Sequence, residues 1–100
     1  MRTIVFTHIA RGELKDIFEY WNTRNGSDTY SRRLAKQIND ALATCAAYPD
    51  AALNLPPASI QYTIVGYYAI YYDYYPNTLV VHHIWDQRRN PEDHPLNTTT

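Results

Sequence analysis

A single cysteine, Cys45, stands among the 100 residues, so no disulfide can form within the chain. A thiol without a partner suits a reducing compartment, and a cytoplasmic location is expected. No apolar run approaches the roughly 20 residues that a membrane-spanning helix needs. Near the N-terminus, Arg11, Glu13 and Lys15 interrupt what would otherwise be the apolar core of a signal peptide. No cluster of cysteines and histidines has metal-ligand spacing, and neither a metal nor any cofactor is expected. The most consequential shortage is of positive charge. Lysine and arginine occur at 2, 11, 15, 24, 32, 33, 36, 88 and 89, leaving none from Gln37 through Gln87. With a formal net charge of −1, the chain is poorly suited to gripping nucleic acid non-specifically, because such binding depends on neutralised phosphates.

What is present describes one globular unit. Hydrophobic content of 45% with 19% charged residues suits a folded domain, and 100 residues leave no room for two cores. A single domain over residues 1–91 is expected, followed by a polar, flexible tail at 92–100. Residues 3–7 are β-branched or aromatic and read as a strand. Thr7 can cap a helix in which Leu14, Ile17, Phe18 and Trp21 share one face, and Gly26 suits the left-handed position after it. Ser27 or Asp28 can cap a second helix lined by Leu34, Ile38, Ala41, Leu42 and Cys45, which Tyr48-Pro49 stops. Its opposite face, with Arg32, Arg33 and Lys36, reads as solvated. Residues 49–58 read as a proline-punctuated loop. Strands follow at about 59–65, 67–74 and 78–86, with Gly66 as a turn or bulge and Pro76-Asn77 as the last turn. The order β-α-α-β-β-β makes the fold α+β: a helical hairpin on one mostly antiparallel sheet.

Six of the ten tyrosines fall within residues 67–75. Strand alternation puts 68, 70, 72 and 74 on one face and 67, 69, 71 and 73 on the other. Cross-strand packing accounts for part of the set, and at least one exposed aromatic face is expected. His82 and His83 are adjacent in a strand, so by the same alternation they face opposite sides and do not chelate one ion. One of them is expected in the core, beside Val81 and Trp85 or beside Val80 and Ile84. The other remains available on a functional face. Arg88, leaving the last strand, can hold a phosphate in bidentate fashion or pair with Asp86.

The chain resembles the RelE/ParE superfamily of toxins from type II toxin–antitoxin operons over roughly residues 3–91. The resemblance is carried by Ala10…Leu14-x-x-Ile17-x-x-Tyr20-Trp21, by the periodic second helix with Pro49 after it, and by Gly66-Tyr67-Tyr68-Ala69-Ile70-Tyr71-Tyr72. The ending Val81-His82-His83-Ile84-Trp85-Asp86-Gln87-Arg88-Arg89-Asn90-Pro91 completes it. RelE-like members cut mRNA in the ribosomal A site without a metal, using basic residues on the sheet and a C-terminal tyrosine or histidine. The ParE-like members that have been characterised poison DNA gyrase. Both classes are neutralised by an antitoxin that wraps the toxin. This chain departs from the nuclease pattern, since a tyrosine stands where RelE-like sheets place an arginine. Metal-free cleavage of a phosphodiester needs preorganised positive charge.

The resemblance therefore implies a ParE-like toxin that binds a cellular target, with a cognate antitoxin as partner in a hetero-oligomer. Arg88, Arg89 and His82 are expected to face the target. Trp21, Tyr68 and Tyr71 are expected in the antitoxin groove or in the core beneath it. The alternative is a ribosome-dependent mRNA endonuclease using Arg88, His83 and His94.

Overall fold

The side chain of Thr7 accepts a hydrogen bond from the Ala10 N–H, turning an extended segment into a helix at the expected residue. A computed structural model describes residues 2–48, 53–55 and 60–88, in the order β1 (Thr3–Phe6), α1 (His8–Asn25), α2 (Thr29–Ala47), β2 (Leu53–Leu55), β3 (Ile60–Val65), β4 (Tyr68–Tyr74) and β5 (Thr78–Asp86). Gly26, at φ 68°, ends α1 in the left-handed conformation that only glycine adopts without steric cost. Asp28 precedes α2, but its carboxylate makes no cap hydrogen bond and instead pairs with Arg32 at 3.0 Å. That pair and Lys36–Asp40 at 2.9 Å lie on the solvated face, where exposed ion pairs add little stability.

The five strands form one sheet in the order β1-β5-β4-β3-β2, with β1 parallel to β5 and the other pairs antiparallel. This is the expected α+β arrangement with one addition. The segment read as a loop at 49–58 contributes the short edge strand β2, paired to β3 in the register Leu53↔Tyr62. Tyr67 belongs to the turn with Gly66, so β4 starts one residue later than expected. The tail expected at 92–100 lies outside the described residues.

Leu34, Ile38, Leu42, Cys45 and Ala46 of α2 meet Val65, Tyr68, Ile70, Tyr72, Leu79, Val81 and Ile84 of the sheet in the main core. Ala69, Tyr71 and Trp85 form a second cluster with Ile60 and Tyr62. The expected exposed aromatic face is thus absent from the middle of β4, because Tyr68, Tyr71 and Tyr72 are all buried. Tyr67 and Tyr75, at the two ends of that strand, are the exposed members of the set. As the central element between β5 and β3, β4 is covered on both faces, and aromatic rings supply the bulk to fill both.

Strict alternation fails in β5. Tyr71 pairs with His83 but Tyr72 pairs with Val81, so β5 carries one extra residue at this point. The extra residue moves Ile84 into the main core with Leu79 and Val81, and Trp85 into the second cluster. Neither of the alternating pairings expected from sequence, Val81 with Trp85 or Val80 with Ile84, occurs within one cluster.

Candidate functional site

Strand β1 stops at Phe6 while β5 runs on to Asp86, so among the described residues no strand flanks the far half of β5 on that side. Helix α1 takes that place. Glu13, in its second turn, accepts the Ile84 N–H through Oε1 at 2.8 Å, doing for β5 what a further strand residue would do. Its other oxygen lies 3.4 Å from His83 Nδ1. Between α1 and the end of β5 lies a cleft of about 360 Å³, lined by Glu13, Asp16, Ile17, Tyr20, Tyr68, Ile84, Asp86 and Arg88.

Arg88 closes one end. Its Nε and Nη2 donate to the two Asp86 oxygens at 3.0 and 2.7 Å, and its backbone N–H donates to the same carboxylate at 2.9 Å. The guanidinium carbon stands 4.1 Å from the Tyr67 ring centroid and 5.5 Å from that of Trp21. The bonds with Asp86 hold this guanidinium more firmly protonated than a free arginine. Behind it, Trp21 Nε1–H donates to the Tyr68 hydroxyl at 2.7 Å, and the Trp21 ring packs edge-on against Tyr20 and at a tilt against Tyr30. Burial pushes the Tyr68 phenol above its ordinary 10.0, against the lowering effect of the Trp21 hydrogen bond, with the Asp86 charge adding to the rise.

Of the residues singled out from sequence, Arg88, Trp21 and Tyr68 converge here. Tyr68 is 2% exposed and forms the floor; Trp21 is half-buried beside it. His83 adjoins the cleft through Glu13. His82 goes elsewhere: its Nε2 lies 3.2 Å from Asp73 Oδ2, which also accepts from the Tyr75 hydroxyl at 3.4 Å. The two imidazoles therefore serve two different carboxylates. Among the described residues, no group of three or more histidines, cysteines, aspartates or glutamates is placed to hold a metal. Tyr71 is 6% exposed in the second cluster, 5.4 Å from the Tyr62 ring. Burial also raises its phenol above 10.0. Arg89 and His94 lie outside the described residues.

Glu13, Asp16 and Tyr20 were not picked out by their chemistry in the sequence. Glu13 read there only as one of the charges that interrupt an apolar run near the N-terminus. Its importance depends on the shortness of β1 and on the extra residue in β5, which have no local signature.

None of the described helices is long and apolar enough to cross a membrane. The solved structure described as the chromosomal ParDE TA system from P. aeruginosa includes a chain with the same fold. It superposes with a TM-score of 0.69 at 9% identity, covering 84% of this chain and 94% of that one. No curated protein matches the sequence. Residues 4–91 match the family model of the ParE toxin of the type II toxin–antitoxin system parDE. Since that match spans most of the sequence, including both helices and all but the first residue of the sheet, the chain belongs to the ParE toxin family.

Proposed function

We propose that this toxin arrests growth by binding a cellular protein, with DNA gyrase as the target implied by its ParE-like character, and that a cognate antitoxin keeps it silent. The observation that carries this reading is the state of positive charge around the sheet. No lysine or arginine lies between Gln37 and Gln87, and Arg88 is forked onto Asp86 and lies over the Tyr67 ring. A metal-free ribonuclease needs cationic donors already aimed at the reacting phosphate, and one such donor commonly contributes a few kcal/mol, about 3–4. An arginine neutralised by its own neighbour is a weak candidate for that role. It is a good candidate for a rigid contact in a protein interface, where stacked arginines are favoured.

In this reading Arg88, Arg89 and His82 face the target. Trp21 and Tyr68 form the wall beneath the antitoxin groove, and Tyr71 belongs to the core on the other side of it. The decisive experiment induces the toxin with and without its antitoxin. It then assays purified toxin for gyrase supercoiling and for mRNA cleavage in a translating extract. Growth arrest reversed by the antitoxin, with gyrase inhibited or trapped on cleaved DNA, is the expected result. A-site mRNA cuts that disappear in Arg88→Ala would instead establish the endonuclease, and unimpaired growth on induction would mark a toxin that retains antitoxin binding alone.

A further inference from the structure

The α1–β5 cleft is unbalanced in charge. Among the described residues, three carboxylates line it (Glu13, Asp16 and Asp86) against one guanidinium, that of Arg88. Asp86 is consumed by Arg88, and Glu13 by the Ile84 N–H and His83. Asp16 is exposed and has no hydrogen bond or ion pair among the described residues. Beside it stands Tyr20, 50% exposed, an aromatic ring offered to solvent at the cleft wall. A second hollow, lined by Asp16, Glu19, Tyr20, Thr23 and Arg24, shares Asp16 and Tyr20 with the first, and the Glu19 carboxylate lies within 4.0 Å of Lys15. The apolar floor of the cleft, made by Ile17, Ile84 and Tyr68, is suited to a side chain's methylene stem.

Arg88 shows what such surroundings select, because its guanidinium forks onto a carboxylate while lying over the Tyr67 ring. Asp16 and Tyr20 offer a carboxylate and a ring at one wall, and among the described residues no arginine, Arg24 included, forms an ion pair with the one or stacks on the other. A planar guanidinium fits this arrangement better than a compact ammonium, since it can stack and fork together. We infer that the α1–β5 cleft receives an arginine side chain presented by the antitoxin, its guanidinium between Asp16 and Tyr20 and its stem over Ile17 and Ile84. Naming the antitoxin as the donor rests on the function proposed above; the cleft's preference for a guanidinium does not.

The two parts are separable by experiment. Isotope-labelled toxin is titrated with N-acetyl-arginine N-methylamide, with its uncharged citrulline counterpart, and with the lysine analogue, while the Ile17 and Ile84 methyl signals are followed. Saturable shifts with the arginine compound, weaker with lysine and lost in Asp16→Asn and Tyr20→Leu, are expected. Equal shifts with citrulline, or shifts indifferent to Asp16→Asn, would overturn the inference. In parallel, calorimetry of the toxin–antitoxin pair should show roughly tenfold weaker binding for Asp16→Asn, as for loss of one charged contact. That loss should vanish when one particular antitoxin arginine is changed to glutamine. Undiminished binding by Asp16→Asn would exclude the antitoxin as donor. Absence of any complex with the unaltered toxin would instead remove the proposed function, leaving the methyl shifts to judge the cleft.

Discussion

Glu13 holds together pieces of the molecule that backbone pairing alone leaves apart. One carboxylate oxygen serves the Ile84 N–H and the other approaches His83, so helix and strand are joined at a single side chain. Glu13→Ala leaves that N–H without its acceptor and should cost about 1–3 kcal/mol in urea denaturation. Glu13→Gln keeps an acceptor oxygen and should recover most of the loss; equal losses in the two variants would show that charge matters rather than the hydrogen bond. Gln61 presents the opposite case. Its Oε1 is buried with no hydrogen-bond partner among the described residues, on the strand residue that faces Tyr72 across the β3–β4 ladder. Gln61→Met removes an unmet acceptor at similar volume and should raise stability by about 1 kcal/mol. Tyr68 and Tyr71 govern the alkaline limit. Both phenols are raised above 10.0 in the folded state, so the folded chain binds more protons than the unfolded one above that pH. Their stabilising contribution is complete below pH 10.0 and is lost as pH rises through the folded values. Unfolding midpoints should therefore fall above that pH, and less steeply in Tyr71→Phe.

At the scale of elements, the helices were legible and the far end of the sheet was not. Thr7 and Gly26 bound α1 because cap chemistry is local, and Leu34, Ile38 and Leu42 recur at a spacing that only a helix puts on one face. The turns at Gly66 and Pro76-Asn77 were equally local. The faces of β5 depend instead on its extra residue opposite β4, a property of pairing between two strands. Reading His82 and His83 by simple alternation could not reveal that Ile84 would join Leu79 and Val81. The same event left an N–H for Glu13, so the part of the site that escaped the sequence is the part built on the irregularity. Arg2 illustrates a tie between elements with no sequence signature at all. Its Nη1 donates to the Ala46 carbonyl near the end of α2, its Nε donates to Tyr75 O, and its guanidinium lies 5.1 Å from the Tyr74 ring centroid. It thereby fastens the α2 terminus to the β4–β5 turn. Arg2→Ala should cost about 1–2 kcal/mol and raise amide exchange at both places together, whereas Arg2→Met, which keeps the stem, should recover the packing share alone.

For the molecule as a whole, charge distribution separates the two ways in which such a toxin can work. An RNA-binding surface needs several free cations in one place, and its affinity falls steeply with salt as counterions are released. Here the sheet carries no fixed positive charge between Gln37 and Gln87, the basic residues of α2 are spread along a solvated helix face, and Arg88 is locked to Asp86. A protein partner makes different demands: a concave, partly apolar surface with a few charges, as in the α1–β5 cleft, where three carboxylates and one guanidinium are among the described lining residues. Thermal unfolding weighs these alternatives on the intact chain, because a ligand of the folded state raises stability with its concentration. At a hundredfold excess over its dissociation constant, the antitoxin should add about 2.7 kcal/mol and raise the midpoint by roughly 10 °C or more. Single-stranded RNA at the same concentration and physiological salt should leave the midpoint unmoved. A salt-sensitive rise with RNA, equal to that produced by the antitoxin, would mean that cations hidden in the folded chain become available to phosphate, and would return the endonuclease to first place.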